Sequence, residues 1–269
     1  MEYVLAGMQW EICIVYLDDI IIFSRTFEEH LSRLQTIFSR IKEAGLKISP
    51  QKCFLFHREV KFLGHIVNSS GILPDPSKIE AISTWPSPTS LKELRSFLGT
   101  CSYYRKFIQD FSKIARPLHH LTEKNTLYRW TSDCQEAFDC LKRTLTKSPI
   151  LVYPFLEKEF LLDTDASGFG LGAVLSQIGP DNKEHVIAYF SKALTKPEGQ
   201  YCVTRRELLA VLAAVKHFHH YLYGVHFTVR TDHGALSWLT NFKNPEGQLA
   251  RWLEVLSCYN FTIKHRAGI

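Results

Sequence analysis

An apolar run interrupted by two adjacent acids constrains the fold of this chain more than any other stretch. Residues 13–23 read CIVYLDDIIIF, so Asp18 and Asp19 separate two short segments of the residue types that form buried strands. An ionised carboxylate in apolar surroundings is costly unless it is paired or binds a cation. We therefore expect a β-hairpin that carries both acids at its tip.

The acids at this tip have two interpretations. They can lie in a turn exposed to water, although such turns usually contain Gly or Asn for positive φ, and Leu17-Asp18-Asp19 contains neither. Alternatively, they can bind a divalent metal ion, which offsets both their repulsion and their desolvation. The spacing by itself favours neither interpretation.

Composition is typical of a globular protein with a buried core. The 269 residues are 45% hydrophobic and 22% charged, a length that suits two domains of ordinary size. No apolar run reaches the ~18–20 residues of a membrane span, and we expect no membrane association. The seven cysteines are odd in number and include no CxxC pair, which indicates free thiols in a reducing, intracellular compartment. The net charge of +5 is compatible with a polyanionic partner.

The first third of the chain predicts two hairpins and a helix. Thr26 and Glu29 form a capping box ahead of apolar residues at helical spacing, and Gly45 marks the end of that helix. Residues 52–71 then contain two short apolar strands around His57-Arg58-Glu59. This pattern predicts a second hairpin.

The middle third predicts a small helical unit between breakers at 85–90 and 148–154. Helices are expected after the capping residue Ser90 and over 132–146, where Ser132 is the predicted cap. Basic side chains alternate with aromatic ones in this unit. The pattern suits a nucleic-acid backbone, but an ordinary solvated helix face is the preferred interpretation. The basic residues are Lys92, Arg95, Arg105, Lys106, Lys113 and Arg116.

Beyond residue 154 the pattern changes to strands. The expected order is three strands, a helix from Thr204 to about Tyr221, a fourth strand, helices at 235–240 and 249–257, and a last strand. This order indicates a mixed sheet with helices packed on it, an α/β (α+β) layer fold.

Three acids stand out in this last segment. Asp165 lies where the first strand ends, Glu207 in the first turn of the long helix, and Asp232 at the end of the fourth strand. If neighbouring strands bring their ends together beside the helix, the three carboxylates converge, which is costly unless they bind cations. Two divalent ions about 3.5–4 Å apart, held by acids, hydrolyse phosphodiesters.

Each acid also has a structural alternative, which is preferred when the residue is taken singly. Glu207 completes a capping box with Thr204. Asp165 suits an Asx-turn, and Asp232 suits the cap of the short helix that follows. Asp163, two residues before Asp165, would share its strand face and compete for the same role.

Several motifs in one order now resemble a known family. YLDDIIIFS resembles the catalytic hairpin of reverse transcriptases. The remaining motifs are similar to the polymerase-to-nuclease region and the ribonuclease H domain of gypsy-class long-terminal-repeat retrotransposon Pol polyproteins: KFLGHIVNSSGILPDPSKIEAI, WPSPTSLKELRSFLGTCSYYRKFI, WTSDCQEAFDCLK, DTDASGFGLGAVLSQ, IAYFSKALT, YCVTRRELLAVLAAVKHFHHYLYG and FTVRTDHGALSWL. The resemblance covers essentially the whole chain.

The resemblance implies a role for each group of acids. Asp18 and Asp19 align with the palm acids that bind the polymerase metal ions. Asp165, Glu207 and Asp232 align with ribonuclease H acids that hold two Mg²⁺ ions, for which Mn²⁺ can substitute. The resemblance also implies nucleic-acid contacts by Tyr16, Phe62, Leu63, Gly64, Tyr104, Arg105 and His233.

Two departures from the family pattern bear on activity. The family's palm uses a third aspartate well upstream of the hairpin, whereas Asp18 is preceded here by seventeen residues. We therefore expect no polymerase activity from this chain alone. The family's nuclease also carries a fourth aspartate soon after a His-x-x-Gly stretch, which is HRAG at 265–268 here, and the sequence ends at Ile269. Three acids would bind the second metal poorly, so we expect nuclease activity to be low or absent.

The resemblance thus implies a fragment of an RNA-directed DNA polymerase with a ribonuclease H domain, which performs two-metal chemistry on RNA·DNA hybrids. The expected domains are 1–85, part of the palm; 86–150, thumb and connection helices; and 151–269, the nuclease. Expected partners are RNA·DNA hybrid, primer-template, and the fingers, protease and integrase of the polyprotein, in a cytoplasmic particle or the nucleus. The alternative is an inactive or co-opted remnant that binds nucleic acid.

Overall fold

A computed structural model describes residues 1–155, 157–234, 236 and 246–266. The chain divides into two compact units, Met1–Ser69 and Ser70–Ile269. Both contain sheet and helix, which confirms the predicted α/β (α+β) class; the division into three domains remains a prediction. In the described part of the chain, no helix combines the length and the apolar content that a membrane crossing requires.

The first unit contains two hairpins and one long helix. Its elements are β1 (Cys13–Tyr16), β2 (Asp19–Ile22), α1 (Phe27–Glu43), a 3₁₀ turn at Pro50–Lys52, β3 (Glu59–Phe62) and β4 (His65–Asn68). The N-cap of α1 is Thr26, whose hydroxyl accepts from the amide of Glu29. A small core joins β1 to α1 through Leu5, Cys13, Val15, Ile37 and Ile41.

The second hairpin turns at a different place from the one predicted. Leu63 and Gly64 form the turn, with φ of 47° and 68°, whereas the sequence pattern placed it at 57–59. Two residues with positive φ match the right-handed twist of the flanking strands. A leucine in the place of the usual Asn or Asp conceals this turn in the sequence.

The second unit begins with a helical cluster. Its elements are β5 (Gly71–Pro74), α2 (Pro76–Ser83), α3 (Leu91–Tyr103), a 3₁₀ turn at Arg105–Phe107, α4 (Phe111–Ile114), α5 (Arg116–His120) and α6 (Ser132–Thr146). The N-cap of α6 is Thr131 rather than Ser132, because the Thr131 hydroxyl accepts from the amide of Cys134. The core of this cluster includes Leu94, Phe97, Phe107, Phe111, Phe138 and Leu141.

A five-stranded sheet in the order β10-β9-β6-β7-β8 completes the second unit. Its strands are β6 (Phe160–Ala166), β7 (Gly170–Ile178), β8 (Glu184–Ala193), β9 (His226–Thr231) and β10 (Asn260–His265), and its helices are α7 (Lys196–Gly199), α8 (Val203–His217), α9 (His219–Leu222) and α10 (Gly247–Ser257). The predicted order is confirmed where the chain is described. The short helix expected at 235–240 lies, except for Leu236, outside the described residues.

Helix α8 is positioned by burial against the centre of this sheet. Leu208, Val211 and Val215 share one core with Phe160 and Leu162 of β6, and all five are nearly inaccessible to solvent. Burying each such side chain contributes about 1.5–3 kcal/mol. This packing places the first turns of α8 beside the carboxyl end of β6.

Candidate metal centre and nucleic-acid contacts

The ends of two parallel strands bring two of the predicted acids together. β6 and β9 are parallel neighbours, with Asp163 opposite Arg230 in the register. Two residues further along each chain lie Asp165 and Asp232. Because the carboxyl ends of parallel strands meet at one edge of a sheet, both acids reach the same edge.

Glu207 of α8 completes the cluster. One carboxylate oxygen from each of Asp165, Glu207 and Asp232 lies within 4.8 Å of the others. The two aspartates are exposed, whereas the Glu207 side chain is only 4% exposed. Oxygen ligands of this kind suit hard divalent cations, so the three acids can hold a metal ion.

Among the three acids, Glu207 has a raised pKa. Burial, together with the charges of Asp165 and Asp232, raises the pKa of its carboxyl to about 7. Its Oε2 atom is buried and has no hydrogen-bond partner among the residues described. A buried carboxylate oxygen without a donor requires either a proton or a cation. A divalent ion therefore fits the residues present.

The capping alternative for Glu207 is wrong. Helix α8 begins at Val203, after the N-cap residue Cys202, so Glu207 lies in its second turn rather than its first. The Thr204 hydroxyl lies 3.0 Å from Nε2 of His233, which removes it from the predicted capping box. Helix capping therefore does not explain a buried glutamate at this position.

The turn after Asp165 is organised by a different residue from the one predicted. The hydroxyl of Ser167 accepts hydrogen bonds from the amides of Phe169 and Gly170, at 3.2 and 3.0 Å. In the described turn, no backbone amide bonds to the Asp165 carboxylate. The Asx-turn interpretation is therefore wrong, because Ser167 forms the side-chain hydrogen bonds of this turn. The Asp165 carboxylate remains available to the acidic cluster.

The Asp163 carboxylate is paired with two arginines. Its carboxylate accepts from Nε of Arg230 at 2.7 Å, also from Nη2 of Arg230, and from Nη1 of Arg266 at 3.1 Å. Arg230 also binds Glu184, and its hydrogen bond lowers the pKa of that carboxyl. Sequence reasoning missed Arg230, because the pairing depends on the register of strands far apart in the chain. Asp163 therefore does not compete with Asp165.

The two acids at the tip of the first hairpin are exposed to solvent. Asp19 pairs with Tyr16, and Leu17 adopts φ of 53° in place of the expected Gly or Asn. Asp18 and Asp19 are both exposed. Within the described ranges, no third acid joins them in a cluster with metal-ligand spacing. Their role as metal ligands remains a prediction.

The predicted contacts in the first unit lie on its two hairpins. Tyr16 is 53% exposed beside the acids of the first tip. Phe62 ends β3, and Leu63 and Gly64 form the turn that follows it. These side chains are placed on turns, where a bound strand could reach them.

The predicted contacts in the second unit are less accessible. Tyr104 is only 2% exposed within the helical core, a burial that does not fit the predicted nucleic-acid contact. The guanidinium of Arg105 donates to the carbonyl of Ser191. His233 adjoins the acidic cluster, where its ring contacts Thr204. Sequence spacing did not reveal that Tyr104 points inward.

Two families match separate parts of the chain. Residues 1–67 match the family described as reverse transcriptase (RNA-dependent DNA polymerase). Residues 130–229 match the family described as an RNase H-like domain found in reverse transcriptase. The second match includes Asp165 and Glu207, and ends just before Asp232.

Similar full-length proteins are transposon polyproteins. The retrovirus-related Pol polyprotein from transposon 297 of Drosophila melanogaster is 45% identical over 95% of this chain and 24% of its own length. That from transposon 412 is 39% identical over 100% and 22%. The Tf2-3 polyprotein of Schizosaccharomyces pombe is 36% identical over 95% and 19%. The chain thus spans about a quarter or less of these relatives.

Solved structures of a viral enzyme are similar over the whole chain. A foamy viral protease-reverse transcriptase in complex with double-stranded DNA is 25% identical, with a TM-score of 0.83, over 100% of this chain and 48% of that one. The foamy viral enzyme in complex with an RNA/DNA hybrid is also 25% identical, with a TM-score of 0.81, over 100% and 37%.

Proposed function

Because the chain belongs to the Pol polyproteins of long-terminal-repeat retrotransposons, we propose that its second unit cleaves the RNA strand of RNA·DNA hybrids with divalent metal ions. The gypsy class is consistent with the same relatives. The chain carries a reverse transcriptase segment and an RNase H-like segment, and is a part of such a polyprotein. We also propose that this chain shares in the activity, the substrate and the partners of the whole polyprotein.

One observation carries the nuclease proposal. The Glu207 carboxylate is buried beside two other acids with an oxygen that no described group satisfies. A protein that needed only a stable fold would have an uncharged residue here, since an unpaired buried charge is destabilising. The arrangement is explained if the acids bind cations in the working protein.

The residues of the chain position the reacting groups. Asp165 and Asp232 are exposed and can meet a phosphodiester from solvent, while Glu207 is rigidly held by the packing of α8. Nε2 of His265 lies 3.0 Å from the carbonyl of Asp232, which ties the end of β9 to β10. Divalent ions, when bound, would activate water and stabilise the leaving oxygen.

Mg²⁺ is the proposed ion, with Mn²⁺ as a substitute. All three donors are carboxylate oxygens, the ligands that both hard cations prefer, and the cluster contains no thiol or imidazole ligand among the residues described. Metal titration of the chain, followed by calorimetry, would establish which ion binds.

The first hairpin is proposed to serve the polymerase of the larger protein. Asp18 and Asp19 would bind metal ions for nucleotidyl transfer, with Tyr16 and residues 62–64 beside the primer end. The match of residues 1–67 to the reverse transcriptase family supports this assignment. Primer-template, the fingers, the protease and the integrase are the proposed partners, in a cytoplasmic particle or the nucleus.

A cleavage assay tests the nuclease proposal. The purified chain is incubated with a hybrid labelled on the RNA strand, with Mg²⁺ or Mn²⁺, beside Asp165→Asn and the control Asp133→Asn, which removes an exposed charge on α6. We expect weak cleavage by the wild type and the control, because three acids bind the second metal ion poorly, and none by Asp165→Asn. A folded wild type that binds the hybrid without cleaving it would favour a nucleic-acid-binding remnant instead.

A further inference from the structure

The turn that follows Asp165 is covered on one side by helices from outside the sheet. Ala166 lies opposite Leu171 in the β6–β7 register, so residues 167–170 form the turn. A Cβ atom on Gly170 would lie 3.0 Å from Oγ of Ser112 in α4. The amide of Ser112 also donates to Oγ of Ser191 on β8 at 2.9 Å. Helix α4 is thus packed directly on the strands that carry the acidic cluster.

The same approach brings the helices next to Asp165 itself. Gly172 lies opposite Asp165 in the register, and a Cβ on Gly172 would lie 2.9 Å from Oδ1 of Asp110, the N-cap of α4. Lys113 is exposed one turn further along α4, three residues before Arg116. It therefore adds a positive charge to the helix that packs on the strands of the acidic cluster.

An arginine from α5 lies flat on the exposed aromatic ring of this turn. The guanidinium carbon of Arg116 lies 3.6 Å from the ring centre of Phe169, which is 54% exposed. Arg116 is exposed as well, and none of the described residues forms a hydrogen bond or an ion pair with its guanidinium. Stacking restrains the plane of a guanidinium and leaves its N–H edge available to a phosphate.

Other basic residues of the helical unit are engaged differently. Arg105 donates to the carbonyl of Ser191 and lies over Phe111, so it joins α4 to the sheet. The Lys106 ammonium lies over Phe107, and burial lowers its pKa. Arg95 is exposed on α3. Nη1 of Arg206 on α8 donates to the carbonyl of Ser167 in the turn, at 3.1 Å.

We propose that Arg116, held flat by Phe169 and assisted by Lys113, binds a backbone phosphate of the nucleic-acid strand that is cut at the acidic cluster. Three carboxylates repel a polyanion, so cations beside them are needed to hold the strand. Phe169 follows Asp165 by four residues, so their Cα atoms lie at most about 14 Å apart. Helices α4 and α5 therefore supply part of the substrate surface of the nuclease.

This inference rests on the proposed function for its substrate, but its test does not require cleavage. Binding of a fluorescently labelled RNA·DNA hybrid is measured by anisotropy in EDTA over a series of salt concentrations. The variants are Arg116→Gln, Lys113→Gln and, as a control with the same change of charge, Arg95→Gln. Circular dichroism melting confirms that each variant is folded.

We expect Arg116→Gln to raise the Kd roughly threefold to tenfold, and to reduce the slope of log K against log salt by about 0.9, as for one lost phosphate contact. Lys113→Gln should act in the same direction, and Arg95→Gln should change neither quantity. An equal effect of Arg95→Gln and Arg116→Gln, or no effect of either, would overturn the proposal. So would a wild type that does not bind the hybrid.

Phe169 is a positioning residue, and the salt slope separates its role from that of the charge. Phe169→Leu should raise the Kd about twofold to threefold with the slope unchanged, and Phe169→Tyr should restore wild-type binding. Wild-type affinity in Phe169→Leu would refute the positioning role. If the wild type cleaves, Arg116→Gln should raise KM and leave kcat unchanged. If it does not cleave but the binding differences persist, the nuclease proposal fails and the phosphate site stands.

Discussion

At the scale of single residues, three neighbouring acids differ in what surrounds them. Asp163 is held by Arg230 and Arg266, Asp165 is exposed at the edge of the sheet, and Glu207 is buried without a donor for one oxygen. A paired carboxylate stabilises the fold, whereas an unpaired buried one destabilises it. The acids therefore divide into one that stabilises the fold and two that are candidates for metal binding.

Replacing Glu207 with Gln should stabilise the metal-free protein at pH 8. The raised pKa means that the folded state binds the proton more tightly than the unfolded state. That stabilisation is complete below pH 4.5 and is lost as the pH rises through about 7. The neutral Gln avoids this loss, with an expected gain of about 1–3 kcal/mol at pH 8 and almost none at pH 4. Urea denaturation in EDTA measures both values.

The matched control is Glu254→Gln, which changes an exposed glutamate on α10 and should leave stability unchanged at either pH. Glu207→Gln should also lose metal-dependent cleavage. A variant that is less stable at pH 8 would show that the charge of this carboxylate, which accepts a hydrogen bond from the Ala166 backbone, stabilises the fold.

Asp163→Asn should separate the structural acid from the cluster. Because the carboxylate is half-buried against two guanidinium groups, we expect a loss of about 1–3 kcal/mol in the free energy of unfolding. Mn²⁺ affinity, measured by calorimetry, should stay within twofold of wild type. Asp165→Asn, in contrast, should keep the free energy of unfolding of the wild type and should lose Mn²⁺ affinity. Loss of Mn²⁺ binding in folded Asp163→Asn would place Asp163 in the metal centre.

At the scale of elements, the two hairpins of the first unit are closed by residues with strained backbone. Leu17 and Leu63 have φ of 53° and 47°, a region that costs an L-residue with a side chain about 1–2 kcal/mol. At the first tip this conformation brings Asp18 and Asp19 into water beside an exposed Tyr16. The strain is thus located where the sequence also concentrates its charges.

Leu17→Gly should relieve this strain. Glycine adopts positive φ without penalty, although it also gains freedom in the unfolded chain, so we expect a net stabilisation of about 0.5–1 kcal/mol. Hydrogen exchange of the β1 and β2 amides measures the local stability. Leu17→Ala, which keeps a Cβ atom, is the control and should show no gain. Equal protection in all three proteins would exclude backbone strain at the tip.

At the scale of the whole molecule, the helical cluster and the five-stranded sheet share buried polar contacts. Ser112 and Ser191, 9% and 3% exposed, are joined by two hydrogen bonds, and Arg105 donates to the Ser191 carbonyl. These bonds cover β8, which is the last strand of the sheet. Because the helices cover this edge strand, the helical cluster and the sheet form one compact unit that begins at Ser70.

A fragment that starts at residue 151, the predicted domain boundary, should therefore fold less well than one that starts at residue 70. Without α4, the β8 side of the sheet would expose an edge and buried polar groups, which favours association between copies. We expect residues 70–269 to be monomeric with a cooperative thermal transition, and 151–269 to melt lower or aggregate. Size-exclusion chromatography and calorimetry compare the two. Equal behaviour would show that the sheet is independent of the helices.

Much of this architecture was predictable from local patterns. The strand pattern beyond residue 154 placed Asp165 at a strand end, and the sequence predicted a long helix from Thr204 to about Tyr221, which the structure divides into α8 and α9. Capping residues located the starts of α1 and α3 correctly, because such signals lie within a few residues of each other. The sequence also indicates the three acids, because each lies at the end of a predicted strand or in the predicted helix.

Other features were decided only by contacts between distant segments. The sequence alone determined the α/β class, the order of helices and strands along the chain, and the candidate acids, since these depend on periodicity and short-range chemistry. Tertiary structure decided that Glu207 is buried, that Arg230 occupies Asp163, that Tyr104 points into the core and that Arg116 lies on Phe169. The physical reason is that burial and charge pairing depend on which strands and helices become neighbours. The local sequence pattern does not specify which distant segment packs against it.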